Sequence, residues 1–380
     1  MIRIKLVQQW TTTNAGPIDL DERLLPALEA IQATGSISKA ATKLEVSYRF
    51  LWGLILRWGD LLGSSLALLE RGRGAKLTLF GEKLLWADKR IAARMSPMLD
   101  SMASELELEL QPMVSRGRGV ARIHASHGFA VEVLREEMAN TAMPLELKYV
   151  GSREALVSLI DYKCDLAGFH VPVGILEAPA LTQFMPWINQ PGFVLIELAT
   201  RRQGLMTASD NPKRVLQLQD LAKLHCRFVN RQAGSGTRLL LDLLLQQEGL
   251  KSAEITGYDV VEYTHAAVAA FVASGMADVG FGIETGARRF GLHFIPLATE
   301  RYFFLCRKSN LQSQPVQATL QIMQSEGFKV KVNRLPGYQA EYCGVLAEVE
   351  KVFPQMARTS SRKPSPASRR AVKKGIGRTK

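Results

Sequence analysis

The chain has few cysteines, no long apolar run, and one segment with no acidic residue at all. Cys164, Cys226, Cys306 and Cys343 lie far apart among 380 residues and form no C-x-x-C pair. That spacing argues against a disulfide framework or a cysteine-based zinc site and points to reduced thiols in a cytoplasmic protein. The longest nearly uncharged apolar stretch, THAAVAAFVASGMA, is too short and too rich in small residues to span a bilayer. The opening MIRIKLVQQW lacks an apolar core followed by a small-residue cleavage site, so no secretory signal is expected. From Ala357 to Lys380 there are nine Lys/Arg and no Asp or Glu, punctuated by Pro, Ser and Gly. A segment of that kind cannot build a core and is expected to be a disordered basic tail over residues 357–380.

The remainder reads as globular. Hydrophobic residues make up 47% and charged residues 22%, and the length predicts more than one folded unit. The net charge of +12 is uneven, because the tail holds nine of the excess charges. Ser36–Met95 holds eleven basic against five acidic residues. Positive charge at both ends predicts a polyanionic partner for the ends and not for the middle.

Within residues 1–80, LDERLLPALEAIQATGSISKAATKLEVSYRFLWGLILRWGDLLG has helix-turn-helix spacing. Leu24, Leu28 and Ile31 recur at helical intervals and Gly35 ends the first helix. Ser36 or Ser38 can cap a second helix that includes Lys39, Ala40 and Ala41. Ser47 can cap a third that begins Tyr48-Arg49 and contains Trp52. In such a motif the start of the last helix faces base edges. The following ERGRGAKLTLF interleaves Arg71, Arg73 and Lys76 with glycines and then reaches Thr78, as a basic hairpin does. These residues are the DNA-contact candidates, with Trp52 equally readable as core. A simple helical bundle with solvated arginines is the plainer alternative, disfavoured by the order of turn, cap, helix and hairpin. The leading strand IRIKLVQQW, then TGSISKAATKLEVSYRFLW and GRGAKLTLFGEKLL, make residues 1–110 resemble the DNA-binding half of ModE-type, molybdate-responsive regulators, which are relatives of the LysR family at this domain. The resemblance implies a winged helix that is mainly α-helical, with Ser47, Tyr48, Arg49 and Trp52 on its recognition helix.

Residues 81–119 are expected to form a linker helix and a linker. Leu84, Ile91, Met95, Met98, Met102, Leu106 and Leu110 make a stripe along one helical face, which Pro97 interrupts with a kink. The stripe can pack within the chain or pair two copies, and the resemblance favours a homodimer seam.

Residues 120–349 alternate strand-like and helix-like segments, which predicts an α/β unit with a mostly parallel sheet. In such sheets ligands sit beyond the carboxyl ends of the strands. Several loops there carry polar residues: Ser126-His127, Ser152, His170, Arg231 through Gly234-Ser235-Gly236-Thr237-Arg238, and Thr264-His265. Gly234 and Gly236 allow close backbone approach and positive φ, and the helix start after them offers unpaired N–H groups to an anion. The plain reading of that loop is a helix cap with solvated arginines. Its glycine spacing and missing lysine exclude a nucleotide phosphate loop. Ser235 lacks the flanking glycines of a nucleophile elbow. His124, His127, His170 and His265 have no accompanying carboxylate or cysteine at ligand spacing, so no metal or other cofactor is expected.

NRQAGSGTR, Gly257-Tyr258, THAAVAAFVASGMADVGFGI, FIPLATERYFF and LPGYQAEYCG resemble the periplasmic-binding-protein-like effector domains of bacterial regulators, nearest the molybdate-binding group. That resemblance implies a type II two-lobed fold whose second lobe spans about residues 200–296. It also implies an oxyanion held by hydroxyls and backbone N–H groups, which suits Ser126, Ser152, Ser235 and Thr237. The extra arginines and histidines leave a larger organic anion open. The expectation is therefore a regulator that is not an enzyme, binding double-stranded DNA and a small anionic effector such as molybdate or tungstate. The alternative is a DNA-binding protein whose second unit binds no ligand, or binds another protein.

Overall fold

The computed structural model describes residues 3–13, 16–70, 74–114, 119–141 and 143–354, with only the backbone described for 111–114. Arg71, Arg73 and the basic tail fall outside the described residues.

The first unit opens with two short paired strands, β1 (Thr11–Thr12) and β2 (Ile18–Asp19). Three helices follow, α1 (Leu24–Thr34), α2 (Ile37–Lys43) and α3 (Tyr48–Leu62). Gly35 closes α1 in the left-handed region, where glycine has no Cβ penalty, and its N–H returns to the Ile31 carbonyl. Ser36 caps α2 by accepting from the Lys39 N–H, and Ser47 caps α3 by accepting from the Phe50 N–H. Leu24, Leu28, Ile31, Leu51, Ile55 and Trp58 form the buried core, and Trp52 packs partly buried against it. A hairpin of β3 (Ala67–Glu70) and β4 (Gly74–Leu77) lies on this bundle, tied to the α1 end by Ala75 N–H donating to Gly35 O. A Cβ at Gly74 would sit 2.1 Å from that same carbonyl, so only glycine fits the junction.

Two expectations change here. Residues 3–10 form no strand; their donors are taken by the long helix α4 (Leu79–Val114). The Ile4 N–H donates to Glu107, and the Gln8 and Trp10 side chains both donate to Asp88. The helix also runs unbroken past Pro97.

The second unit runs β5 (Ala121–Ala125), α5 (Phe129–Ala139), β6 (Leu145–Tyr149), α6 (Ser152–Ile160), β7 (Leu166–Pro172), α7 (Glu177–Thr182), α8 (Met185–Ile188) and β8 (Phe193–Thr207). It continues through α9 (Gln219–Lys223), β9 (Phe228–Arg231), α10 (Gly236–Gln247), β10 (Val261–Glu262), α11 (His265–Ala273), β11 (Val279–Ile283), α12 (Glu284–Arg289) and β12 (His293–Arg307). It ends in α13 (Gln314–Gln324), α14 (Glu326–Asn333), β13 (Tyr338–Gln339), β14 (Leu346–Ala347) and α15 (Val349–Val352). The sheet order is β10-β9-β11-β8-β12-β7-β5-β6, with β13 and β14 also pairing to β8.

Strands β8 and β12, 15 residues each, run antiparallel through the whole unit as its spine. At one end β12 pairs with β7, which leads to parallel β5 and β6. At the other end β8 pairs with β11, which leads to parallel β9 and β10. The ribbon therefore carries one α/β lobe at each end. Separate apolar clusters fill them, around Ile123, Leu147 and Phe304 in the first and around Phe228, Leu241 and Phe281 in the second.

Candidate functional site

Where the ribbon passes between the lobes, its apolar pattern breaks. Arg201 and Gln203 on β8 and Glu300 and Tyr302 on β12 are all buried at 1% exposure or less. Burying a charge requires a partner. Glu300 accepts from Arg201 Nε and from Gln203 Nε2 at 2.9 Å, and Gln203 Nε2 also reaches Thr237 Oγ1 at 3.2 Å. Burial alone would lower the Arg201 pKa, but Glu300 outweighs it and raises it; the same pairing holds Glu300 below the usual carboxylate range against its own burial.

Glu300 engages one edge of that guanidinium. Arg201 Nη1 and Nη2 are buried and make no hydrogen bond of standard geometry among the described residues; the Tyr338 hydroxyl beside the guanidinium helps hold it charged. Arg231, at the end of β9, is a second buried cation; it donates to Gln232 Oε1 and to the Tyr263 carbonyl. Burial and then the charge on Arg201 push its pKa down to about 9. Two buried cations thus face one buried carboxylate.

Four helices begin around this charge. Gly128, Gly151, Ser235 and Thr264 are the N-cap residues of α5, α6, α10 and α11. The first N–H groups of a helix lack intrahelical partners and carry its positive dipole end. Ser152 Oγ, His170 Nδ1 and His265 Nδ1 are buried there without hydrogen-bond partners among the described residues. Burial, followed by the nearby arginines, lowers His170 to about 3 and His265 well below its ordinary value, so both rings are neutral near pH 7. His170 Nε2 lies 2.8 Å from Ser126 Oγ, and its ring centroid is 4.4 Å from that of Tyr302. Gly168 makes room for this stack: a Cβ there would meet the Tyr302 hydroxyl at 2.5 Å.

The cleft is closed. A Cβ on Gly236 in the second lobe would stand 3.7 Å from His170 Cδ2 and 3.8 Å from Ser152 Oγ in the first. Gly234 has φ of +82°, as the loop reading expected; Gly236 does not, and its value is the space it leaves in the cleft.

Of the expected effector residues, the structure gathers Ser126, Ser152, His170, Arg231, Gly236, Thr237 and His265. Four others are engaged elsewhere. The Arg238 guanidinium turns along α10 to Asp242, with its CZ 3.9 Å from the Tyr258 ring centre. The Thr264 hydroxyl caps α11 and donates to the Ala93 carbonyl in α4. His127 Nε2 pairs with Glu132 at 2.7 Å and faces a separate cavity of about 760 Å³, bounded by α1, α4 and both lobes. Ser235 Oγ is engaged as the α10 cap. Arg201, Gln203, Glu300 and Tyr302 were missed, although RRQ inside a long apolar run and TERY inside another signalled buried polar positions.

In the first unit Ser38, Lys39, Tyr48, Arg49 and Lys76 are exposed. The Ser36 and Ser47 hydroxyls are used as caps. The Thr78 hydroxyl donates to Ser65 O and accepts from the Gly81 N–H, so it is engaged at the start of α4.

The chain belongs to the PBP superfamily: a family profile for the PBP superfamily domain matches residues 134–324. The chain is 31% identical over 246 residues to the uncharacterized protein YvgK of Bacillus subtilis, covering 64% of this chain and 78% of that protein. It is 31% identical over 137 residues to the molybdenum-pterin-binding protein MopB of Rhodobacter capsulatus, covering 35% of this chain and 50% of that one. Among solved structures, a peroxide-bound mutant of OxyR from Corynebacterium glutamicum matches with a TM-score of 0.40 and 17% identity, over 80% of this chain and 93% of that one. No helix among the described residues is long and apolar enough to cross a membrane.

Proposed function

We propose that the protein is an anion-responsive DNA-binding regulator and not an enzyme. The observation that carries the anion reading is the Arg201 guanidinium, fully buried, with only the Tyr338 hydroxyl near two terminal nitrogens that make no hydrogen bond of standard geometry among the described residues, beside Arg231 and four helix starts. An unsatisfied buried donor costs about 1–3 kcal/mol, more when charged, and a bound anion removes that cost. Hydroxyls and N–H groups at the same place suit an oxyanion of the molybdate or tungstate type. The two arginines suit a more highly charged organic anion as well. The partial match to a protein named for binding molybdenum-pterin supports the first choice.

The DNA reading rests on α2, α3 and the β3–β4 hairpin, a winged helix in our reading. The α3 start presents Tyr48 and Arg49 to solvent, and the hairpin presents Lys76. On α4, Ile91, Met98, Met102 and Leu106 are 36% to 51% exposed on one face, which suits a seam between two copies. The test is isothermal titration of the full chain with molybdate, tungstate, sulfate and phosphate, beside Arg231→Ala. The reading predicts saturable binding of at least one anion and its loss in the variant. Heats indistinguishable from dilution for all four would leave the oxyanion reading without support.

A further inference from the structure

Helix α4 does more than join the two units: it touches both lobes along one face. Toward the second lobe, Arg94 makes a two-pronged pair with Glu262, through Nε to Oε2 at 2.7 Å and Nη2 to Oε1 at 2.5 Å. Glu262 is 1% exposed and Arg94 half exposed. One residue earlier, the Ala93 carbonyl accepts from Thr264 Oγ1 at 2.8 Å. Pro97 leaves that carbonyl free, because a proline four residues on has no N–H to give it.

Toward the first lobe, Ser101 Oγ accepts from the Tyr149 N–H at 3.1 Å. Ser104 Oγ accepts from the Leu147 N–H and donates to the Leu145 carbonyl, both at 2.9 Å. Strand β6 is the edge of the sheet, and these serines satisfy backbone groups that a further strand would otherwise pair. Asp100 adds a 3.0 Å pair with Arg135 of α5. Ala93, Pro97, Ser101 and Ser104 are spaced four, four and three apart, so one helical face carries both sets of contacts.

The second-lobe anchor coincides with the wall of the cleft. In Glu262-Tyr263-Thr264-His265, Glu262 and Thr264 hold α4, while the Tyr263 carbonyl accepts from Arg231 Nη2 and His265 lies buried in the cleft. Arg201, Gln203, Ser152 and His265 are all 2% exposed or less, so an anion enters or leaves only if the lobes part.

We infer that α4 is the latch of the cleft: it fixes the two lobes together, and its Arg94–Glu262 and Ala93–Thr264 contacts must break before the cleft opens. That the cleft holds an anion rests on the proposed function, whereas the latch stands on these contacts alone. The helix that carries the first unit therefore gates ligand exchange.

The four native cysteines are buried, so spin labels attached to the full chain at Glu154→Cys (α6) and Lys223→Cys (α9) report the separation of the lobes. The latch predicts one narrow distance in the otherwise native chain. It predicts an added longer population with Arg94→Gln and an intermediate distribution with Arg94→Lys. Arg94 is half exposed, and an unchanged circular dichroism spectrum shows that the fold survives its replacement. A distance distribution identical to the native one in Arg94→Gln overturns the inference. With molybdate and inorganic phosphate as probes, stopped-flow release is expected to be about tenfold faster in Arg94→Gln, the effect of losing one charge-assisted contact. Equal release rates count against the latch. If neither probe binds the native chain, the anion reading fails for those probes, and the distance measurement still decides the latch.

Discussion

At the scale of single residues, the cleft is governed by the mismatch between two buried arginines and one buried carboxylate. Removing Glu300 leaves Arg201 charged and unpaired, so Glu300→Ala should cost on the order of 3–5 kcal/mol in urea unfolding. A loss below about 1 kcal/mol would mean that Arg201 finds water or another acceptor. The Arg231 pKa of about 9 sets a pH dependence. An anion binds the cationic form of Arg231, so affinity is complete below pH 9 and declines as pH rises through it, approaching tenfold per pH unit. Affinity that stays flat from about pH 8 to about pH 10 would mean that Arg231 keeps its proton in the cleft, and loss of binding in Arg231→Ala then decides its role. The two loop glycines separate strain from space. Gly234→Ala meets a φ of +82° and should cost about 1 kcal/mol. Gly236→Ala meets no strain but fills the cleft beside His170 and Ser152, so it should weaken anion binding and leave the melting temperature unchanged.

Among the elements, the capped helices were the most legible. Ser36, Ser47, Ser235 and Thr264 announce α2, α3, α10 and α11, because a short polar side chain before an apolar periodic run satisfies orphan N–H groups locally. Long-range pairing was not legible. Residues 3–10 look like a strand by alternation, yet their backbone and side-chain partners are carboxylates of α4, far along the chain. FVLIELA was readable as a strand, but its continuation through ATRRQGLMT was not. Charged Arg201 and Arg202 suggest a loop until β12 is seen on one side of them and β13, with the Gly337 carbonyl, on the other. For the same reason, two of the cleft's three buried charged residues, Arg201 and Glu300, were invisible beforehand. Their roles come from a carboxylate 99 positions away in sequence. In the first unit, α3 and the hairpin should divide the labour. Arg49→Ala should relax sequence preference, whereas Lys76→Ala should weaken binding to all duplexes alike and lower the salt slope by about one. Equal effects of both substitutions on selected and random duplexes would remove α3 from base reading.

For the whole molecule, one helix, α4, joins the first unit to the cleft and contacts both lobes, and the proposed function makes it the link between DNA and anion. On the latch, any anion that favours the closed cleft also favours this α4 position; where that position changes DNA affinity, linkage makes DNA change anion affinity by the same factor. The most direct measurement is fluorescence anisotropy of the full chain on a duplex it has selected from a random pool, at matched ionic strength, with and without millimolar molybdate. The account predicts that the dissociation constant shifts by about fivefold or more, and that Arg231→Ala abolishes the shift while still binding the duplex. An identical dissociation constant with and without molybdate, in a chain that titration shows to bind it, would contradict the coupling at the centre of this account.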